Sequence, residues 1–300
     1  MRATFRDIGG SSIDGARSDV TEMISSAAVK QPQDIIATGI LVIIIPFGIL
    51  FHLFYVIPEW YPVLGEAWVI QALFIGFFTF NLYTNWIMMM RIGPSGKSLL
   101  PTVVKPGYKY CHSCCLNTPP RAYHCPVCEV CVLRRDHHCS FGAVCVGHFN
   151  QRYFVAAALN LLCLSFQLSS FAWSLVEVKL GGIAIEKIWF LVLPHLATFA
   201  GFISIYQFLH IIILAMTALV FLFSFYLVSA QAFVLWRGQT RYEYLLEVHA
   251  YQLGLFENIR QSLGSRWFLT PFSAFIPSPL PSNGLTFMTR EMHSAHTKEL

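Results

Sequence analysis

The chain has 300 residues, 55 % of them apolar and only 12 % charged, with a mean hydropathy of +0.56, which excludes an ordinary soluble domain and points to a membrane protein. Its net charge of +4 is modest, and no nucleic-acid partner is expected.

Residues 1–34 are rich in Ser, Gly and charge and read as a mobile cytosolic N-terminal arm. No secretory signal is expected, because these mostly polar residues precede the first apolar run. Residues 35–90 hold spans one and two: Ile35 to Pro58 and Ala67 to Met90 are each 24 positions without Asp, Glu, Lys or Arg. Such a helix reaches about 36 Å, enough for a hydrocarbon core of roughly 30 Å. Residues 91–152 are polar, rich in Gly and Pro, and carry eight of the nine cysteines, so they form the soluble domain. A unit this small buries little core and needs metal, or the helices beneath it, to hold its shape.

Residues 153–236 return to the membrane. Tyr153 to Val176 is a third run of 24, but Ile188 to Trp236 is 49 residues long and as one helix would measure roughly 73 Å, so it must break, with Pro194 and Gly201 as the expected places. Residues 188–202 are read as an extra membrane-embedded or interfacial piece and Tyr206 to Trp236 as span four. Residues 237–300 form a cytosolic tail that is amphipathic in places and expected at the membrane surface. Of the 20 Lys and Arg, 18 lie in the N-terminal arm, the central domain and the tail, and two lie in the other loops. The positive-inside rule therefore puts both termini and the central domain in the cytosol, which requires an even number of crossings.

In the central domain the ligand-type residues are Cys111, Cys114, His124, Cys125, Cys128, Cys131, His138 and Cys145, with Cys115 and Cys139 left over. Disulfides are disfavoured in a reducing cytosol, whereas Cys-x-x-Cys pairs with spaced His are what tetrahedral zinc takes, so two structural zinc ions are expected. Zinc alone does not explain Asp136-His137-His138-Cys139, which crowds an acid, two imidazoles and a thiol together. If His138 is a ligand, His137 is free to act as base for Cys139, with Asp136 holding the His137 ring and stabilising its protonated form. A free thiol is mostly protonated at neutral pH and needs that help to become a nucleophile. Thiolate attack on a thioester exchanges sulfur for sulfur and can run near thermoneutral in both directions.

The order Cys111-x2-Cys114, His124-Cys125-x2-Cys128-x2-Cys131, Asp136-His137-His138-Cys139, Cys145, then Val146-Gly147, Asn150, Arg152 and Phe154 resembles the cysteine-rich domain of DHHC-type protein S-acyltransferases, the palmitoyltransferases. The resemblance implies that Cys111, Cys114, His124 and Cys131 hold one zinc, that Cys125, Cys128, His138 and Cys145 hold the other, and that Asp136, His137 and Cys139 are catalytic. It also implies an all-α polytopic membrane protein with four transmembrane helices and a small cytosolic zinc-binding domain between spans two and three. The activity implied is transfer of a fatty acyl group, C16 by default, from acyl-coenzyme A (palmitoyl-CoA) through a Cys139 acyl-enzyme to membrane-proximal cysteines of protein substrates.

Arg121, Arg134 and Arg135 are candidates for the coenzyme A phosphates, with a solvated or lipid-facing basic surface as the other reading. Family features are altered where Ser140-Phe141 replaces Pro-Trp, where Val144 replaces Asn, in Gly93-Pro94-Ser95-Gly96 and in Thr240-Arg241-Tyr242-Glu243. Asn258 with Leu263-Gly264 resembles the family's tail motif. The expected site of action is an endomembrane, Golgi or ER, with the plasma membrane as the alternative and an accessory subunit left open. Two rival classes are a RING-type ubiquitin ligase, which the Asp-His-His-Cys run fits poorly, and a catalytically silent zinc-containing scaffold of the same fold. The scaffold would tolerate Cys139→Ser.

Overall fold

A computed structural model describes residues 31–93 and 106–298. Most of the N-terminal arm and Pro94-Ser95-Gly96 therefore lie outside the described residues. Among the described residues, four helices are long and apolar enough to cross a membrane: α1 (Pro32–Glu59), α2 (Glu66–Ile92), α3 (Gln151–Lys179) and, after two short helices, α6 (Ile205–Trp236). The first begins at Pro32, where a proline's missing N–H costs nothing, so Asp34 sits in the first turn of the helix rather than in a free arm. It is not a uniform α-helix. Wider π turns occupy Ile40–Ile44 and His52–Val56, and the first of these lies just ahead of Pro46, whose ring cannot complete the ordinary hydrogen-bond ladder.

After α3 the chain makes α4 (Ile188–Val192) and α5 (Pro194–Phe199), with a break at Leu193 and a left-handed Gly201 at φ 78°. Both pieces are too short to cross a bilayer. Ser204 then caps α6 through a reciprocal hydrogen-bond pair with Gln207. With 32 residues, α6 is about 48 Å long, well beyond the roughly 30 Å of a hydrocarbon core. It is therefore longer than an untilted crossing requires.

The central domain corrects the all-α expectation. It folds as three two-stranded antiparallel hairpins: β1 (Lys109–Cys111) with β2 (Leu116–Thr118), β3 (Tyr123–Cys125) with β4 (Val130–Val132), and β5 (His137–Cys139) with β6 (Val144–Val146). Strands of three residues are too short to show a period of two in the sequence. Cys115, Glu129 and Ala143 adopt left-handed backbone at φ 52°, 56° and 49°, one in each hairpin turn.

Apolar clusters hold the helices together at both ends. Ile49, Ile57, Trp68, Ile75, Leu82, Leu164 and Leu168 join α1, α2 and α3. At the other end, Met89 of α2, Tyr153 and Phe154 of α3 and Leu235 of α6 pack around Cys139 and Val146 of the third hairpin. Leu263, from α8 (Leu255–Leu263), and Ala274 close the cluster from the tail. Asn150 ties the same parts by polar contacts, donating to the carbonyls of Met89 and Cys145 at 3.0 Å each and accepting from the Gly147 amide at 2.8 Å.

The tail is anchored at the foot of α6. Asn258 donates to the Trp236 carbonyl at 3.1 Å and accepts from the Leu253 amide at 3.0 Å. Gly238, at φ 66°, passes so close that a Cβ would meet the Tyr251 carbonyl at 2.7 Å. Thr240 and Glu243 cap α7 (Arg241–Leu245) reciprocally, and the Glu243 carboxylate also receives two hydrogen bonds from Arg121, each 2.6 Å. Arg121 lies over the Tyr251 and Phe287 rings as well.

This pair is fully buried, so Glu243→Gln strands the Arg121 charge while keeping a capping oxygen. We expect a loss of about 3–5 kcal/mol, read as a lowered thermal midpoint in detergent. Removing Glu59 from its part-exposed pair with Lys179 costs less than ~1 kcal/mol.

Candidate active site and metal centres

The three hairpins arrange the ligands by strand alternation. Successive side chains on a strand face opposite sides. His124 and Cys131 are cross-strand partners and face one side of the middle hairpin, while neighbouring Cys125 faces the other. One group forms from Cys111, Cys114, His124 and Cys131, and a second from Cys125, Cys128, His138 and Cys145; within each, one donor atom per residue lies within 4.8 Å of all the others. The middle hairpin thus contributes to both groups and links them.

Donor chemistry and spacing fit a tetrahedral zinc ion. Zn–S distances of about 2.3 Å and Zn–N distances of about 2.0–2.1 Å require ligand-to-ligand edges of roughly 3.5–3.8 Å. Cys114 and Cys131 sulfurs are 3.5 Å apart, and Cys128 and Cys145 sulfurs 3.7 Å. Each imidazole approaches through Nδ1, His124 at 3.2 Å from Cys114 and His138 at 3.3 Å from Cys128. The other nitrogen of His138 reaches Asp34 Oδ2 at 3.4 Å, which fixes Nδ1 as the ligand atom and gives the buried Asp34 its partner. Asp34 is a residue that sequence reasoning assigned to the arm.

Alternation acts again on β5. With His138 turned to the metal group, His137 and Cys139 share the opposite face, towards the helices. The two side chains are close enough for the Cys139 thiol to favour the charged His137 ring. His137 Nδ1–H donates to Asp136 Oδ2 at 2.8 Å, and the ring meets Phe154 edge-on at 4.7 Å between centroids. Asp136 is buried and accepts two further hydrogen bonds, from the Arg241 amide at 2.6 Å and from Gln231 Nε2 of α6 at 2.8 Å. Burial alone would raise its carboxyl, but the bonds from His137, Arg241 and Gln231 outweigh this and hold it below the ordinary carboxylate range. On His137, burial works against the charged ring, while Asp136 and Cys139 favour it, and the balance raises it to about 9.

Cys139 is only 6 % exposed and borders a cavity of about 320 Å³ whose walls include Leu41, Trp86, Phe141, Phe154, Leu161 and Phe223. Every lining residue is apolar apart from the Cys139 thiol and the Trp86 indole. The indole N–H is turned away to the Phe141 carbonyl, 2.8 Å distant, which also receives Thr38 from α1 at 3.4 Å. A second apolar cavity of about 190 Å³ continues deeper between α1, α3 and α6 and shares Ile45, Leu161 and Val220 with the first.

The three arginines expected at the coenzyme A phosphates are placed differently. Arg121 spends its guanidinium on Glu243. Arg134 is 1 % exposed and donates to Gln151 and Ser262 at 2.6 Å each. Burial, and then Arg121 nearby, lower it to about 9, which still leaves it charged at neutral pH. Both guanidiniums are thus folded inside among protein acceptors rather than presented at the surface. Arg135 is part-exposed, stacked on Tyr242 at 4.7 Å and bonded to the His124 carbonyl at 3.1 Å. Gln151 and Gln231 were missed by sequence reasoning, and only their polarity at the ends of apolar helices marks them.

Zinc analysis should return two ions for each purified chain. Cys128→Ser should lose the ion of its own group, and Cys139→Ser should keep both; loss of zinc in Cys139→Ser would assign that thiol to the metal instead.

The amino-acid sequence matches the family described as DHHC palmitoyltransferase over residues 104–248. It is 34 % identical over 243 residues to the probable palmitoyltransferase ZDHHC24 of Rattus norvegicus, covering 76 % of this chain and 81 % of that protein. The probable palmitoyltransferase ZDHHC24 of Danio rerio is 33 % identical over 237 residues, covering 74 % and 77 %. Palmitoyltransferase ZDHHC9 of Bos taurus is 44 % identical over 77 residues, which is 26 % of this chain and 21 % of that protein. A likeness running through the membrane helices as well as the cysteine-rich domain goes beyond a shared metal motif, and the chain therefore belongs to the DHHC palmitoyltransferases, the protein S-acyltransferases.

Proposed function

We propose that this enzyme takes a long-chain acyl group, palmitoyl by preference, from acyl-CoA onto Cys139 and passes it to membrane-proximal cysteines of protein substrates. The observation that carries the proposal is that one thiol shares a strand face with the His137 imidazole, within its electrostatic reach, and lines an apolar cavity. His137 takes the Cys139 proton, and the thiolate attacks the thioester carbonyl. The coenzyme A thiolate leaves and recovers the proton from His137. A substrate thiol then repeats the exchange in the other direction, with His137 again as base. Asp136 keeps the His137 ring in the tautomer that leaves Nε2 for the thiol.

The cavity takes the acyl tail directly from the bilayer. Since the tail is in an apolar phase before and after, hydrophobic transfer contributes little to selection, and the shape of the cavity decides which chain fits. Zinc in the two groups supplies structure: the ligands that hold it fix β5 and β6, and with them the direction of the Cys139 side chain. Arg135, together with the exposed Arg241, is the proposed contact for the coenzyme A phosphates. The basic bias of the central domain and tail supports a cytosolic active site and cytosolic termini in an endomembrane, Golgi or ER.

Transfer to a lipidated peptide bearing one cysteine tests the reading. Wild-type protein with labelled palmitoyl-CoA should give hydroxylamine-labile peptide label. Cys139→Ser and His137→Ala should give none with both zinc ions retained; full transfer by Cys139→Ser would defeat the proposal. Gly48 lines the deeper cavity with open space around its Cβ position, so Gly48→Phe should move acyl-CoA preference to shorter chains without loss of autoacylation. An unchanged preference would place the tail elsewhere.

A further inference from the structure

A chain of buried polar groups runs from the start of the third hairpin's approach segment, through two membrane helices, back to Asp136. Arg134 Nη1 donates to Gln151 Oε1 at 2.6 Å, Gln151 Nε2 donates to Gln231 Oε1 at 3.0 Å, and Gln231 Nε2 donates to Asp136 Oδ2 at 2.8 Å. Gln151 opens α3 and is fully buried; Gln231 lies in the last turns of α6 and is 5 % exposed. The contacts bridge 80 and 95 residues of sequence, so nothing local requires them.

The chemistry of the two ends sets the direction of the whole chain. A guanidinium has only donors and an ionised carboxylate only acceptors. An amide between them must turn its oxygen to the arginine side and its NH2 to the carboxylate side. Two amides in series both obey, and neither orientation is ambiguous. Arg134 itself is held: its backbone is left-handed at φ 46°, a conformation costly for a non-glycine residue, and its second donor is fixed by Ser262 of the tail helix at 2.6 Å.

We propose that Arg134, Gln151 and Gln231 form a one-way hydrogen-bond relay whose last donor fixes the Asp136 carboxylate for His137, making Gln231 a positioning residue for acyl transfer. The relay rests on the reading of Asp136, His137 and Cys139 as the reacting group. It makes the carboxylate's orientation depend on α3, α6 and the tail together. A carboxylate turned away from His137 releases the imidazole ring that faces Cys139. The relay touches neither the acyl cavity nor the metal ligands.

Gln231→Glu tests it, because the side chain keeps its size while the donor towards Asp136 becomes an acceptor. The autoacylation rate at saturating palmitoyl-CoA should fall at least about tenfold, part of what a positioned base contributes. The KM for palmitoyl-CoA and the zinc content should stay at wild-type values. A wild-type rate in Gln231→Glu, with Asp136→Ala inactive, would overturn the relay alone; an active Asp136→Ala would overturn the reading beneath it.

Two double variants of identical composition decide the matter if Gln231→Glu folds poorly. Gln151→Glu with Gln231→Lys keeps an acceptor towards Arg134 and a donor towards Asp136, with only the middle bond reversed, whereas Gln151→Lys with Gln231→Glu sets like charges side by side at both ends. The first should autoacylate at least about tenfold faster than the second, and equal rates would reject the relay.

Discussion

A polar segment of some sixty residues between two membrane helices buries too little apolar surface to choose one shape by itself, so its fold has to come from bonds stronger than hydrophobic contacts. Two groups of three thiols and one imidazole, each placed to hold a metal ion, can supply such bonds. The middle hairpin gives ligands to both, and the alternation of its strands keeps the two groups on opposite sides. Once His138 and Cys145 face the second group, the period of two on β5 leaves His137 and Cys139 no direction except towards the helices. The metal-binding group and the side chains proposed to react are thus two faces of one short strand.

That strand works because the membrane helices meet it with complementary surfaces. Apolar walls from α1, α2, α3 and α6 receive Cys139, while Gln231 at the polar end of α6, itself held by Gln151 of α3, donates to Asp136. The unusual length of α6 matters here. A helix of just membrane length would end before Gln231 and before the turn that brings the Arg241 amide to the carboxylate. The tail, pinned by Asn258 at the foot of α6 and by the Arg121–Glu243 pair, holds this end of the bundle closed.

The sequence made some of this legible and hid the rest for identifiable reasons. Spans are visible because transfer from water to lipid is decided locally, residue by residue, and the ligand groups because zinc restricts both residue type and spacing. The hairpins are invisible because three-residue strands carry no measurable period, so the domain reads as irregular in an otherwise helical chain. Arg121 and Arg134 look like surface cations by composition; only long-range pairing with Glu243, Gln151 and Ser262 takes them inside. Asp34 is similar. Its carboxylate reads as part of a polar arm until the fold brings it to His138, 104 residues away.

The account depends most on Cys139 being the acylated thiol although it is buried, while Cys115 and Cys163 are exposed. Peptide mapping by mass spectrometry, after brief exposure of the purified protein to palmitoyl-CoA, separates directed transfer from simple access. Acyl groups on Cys139 that form first and are lost with neutral hydroxylamine are the predicted result. Label confined to Cys115 or Cys163, with Cys139 unmodified in zinc-replete protein, would contradict it.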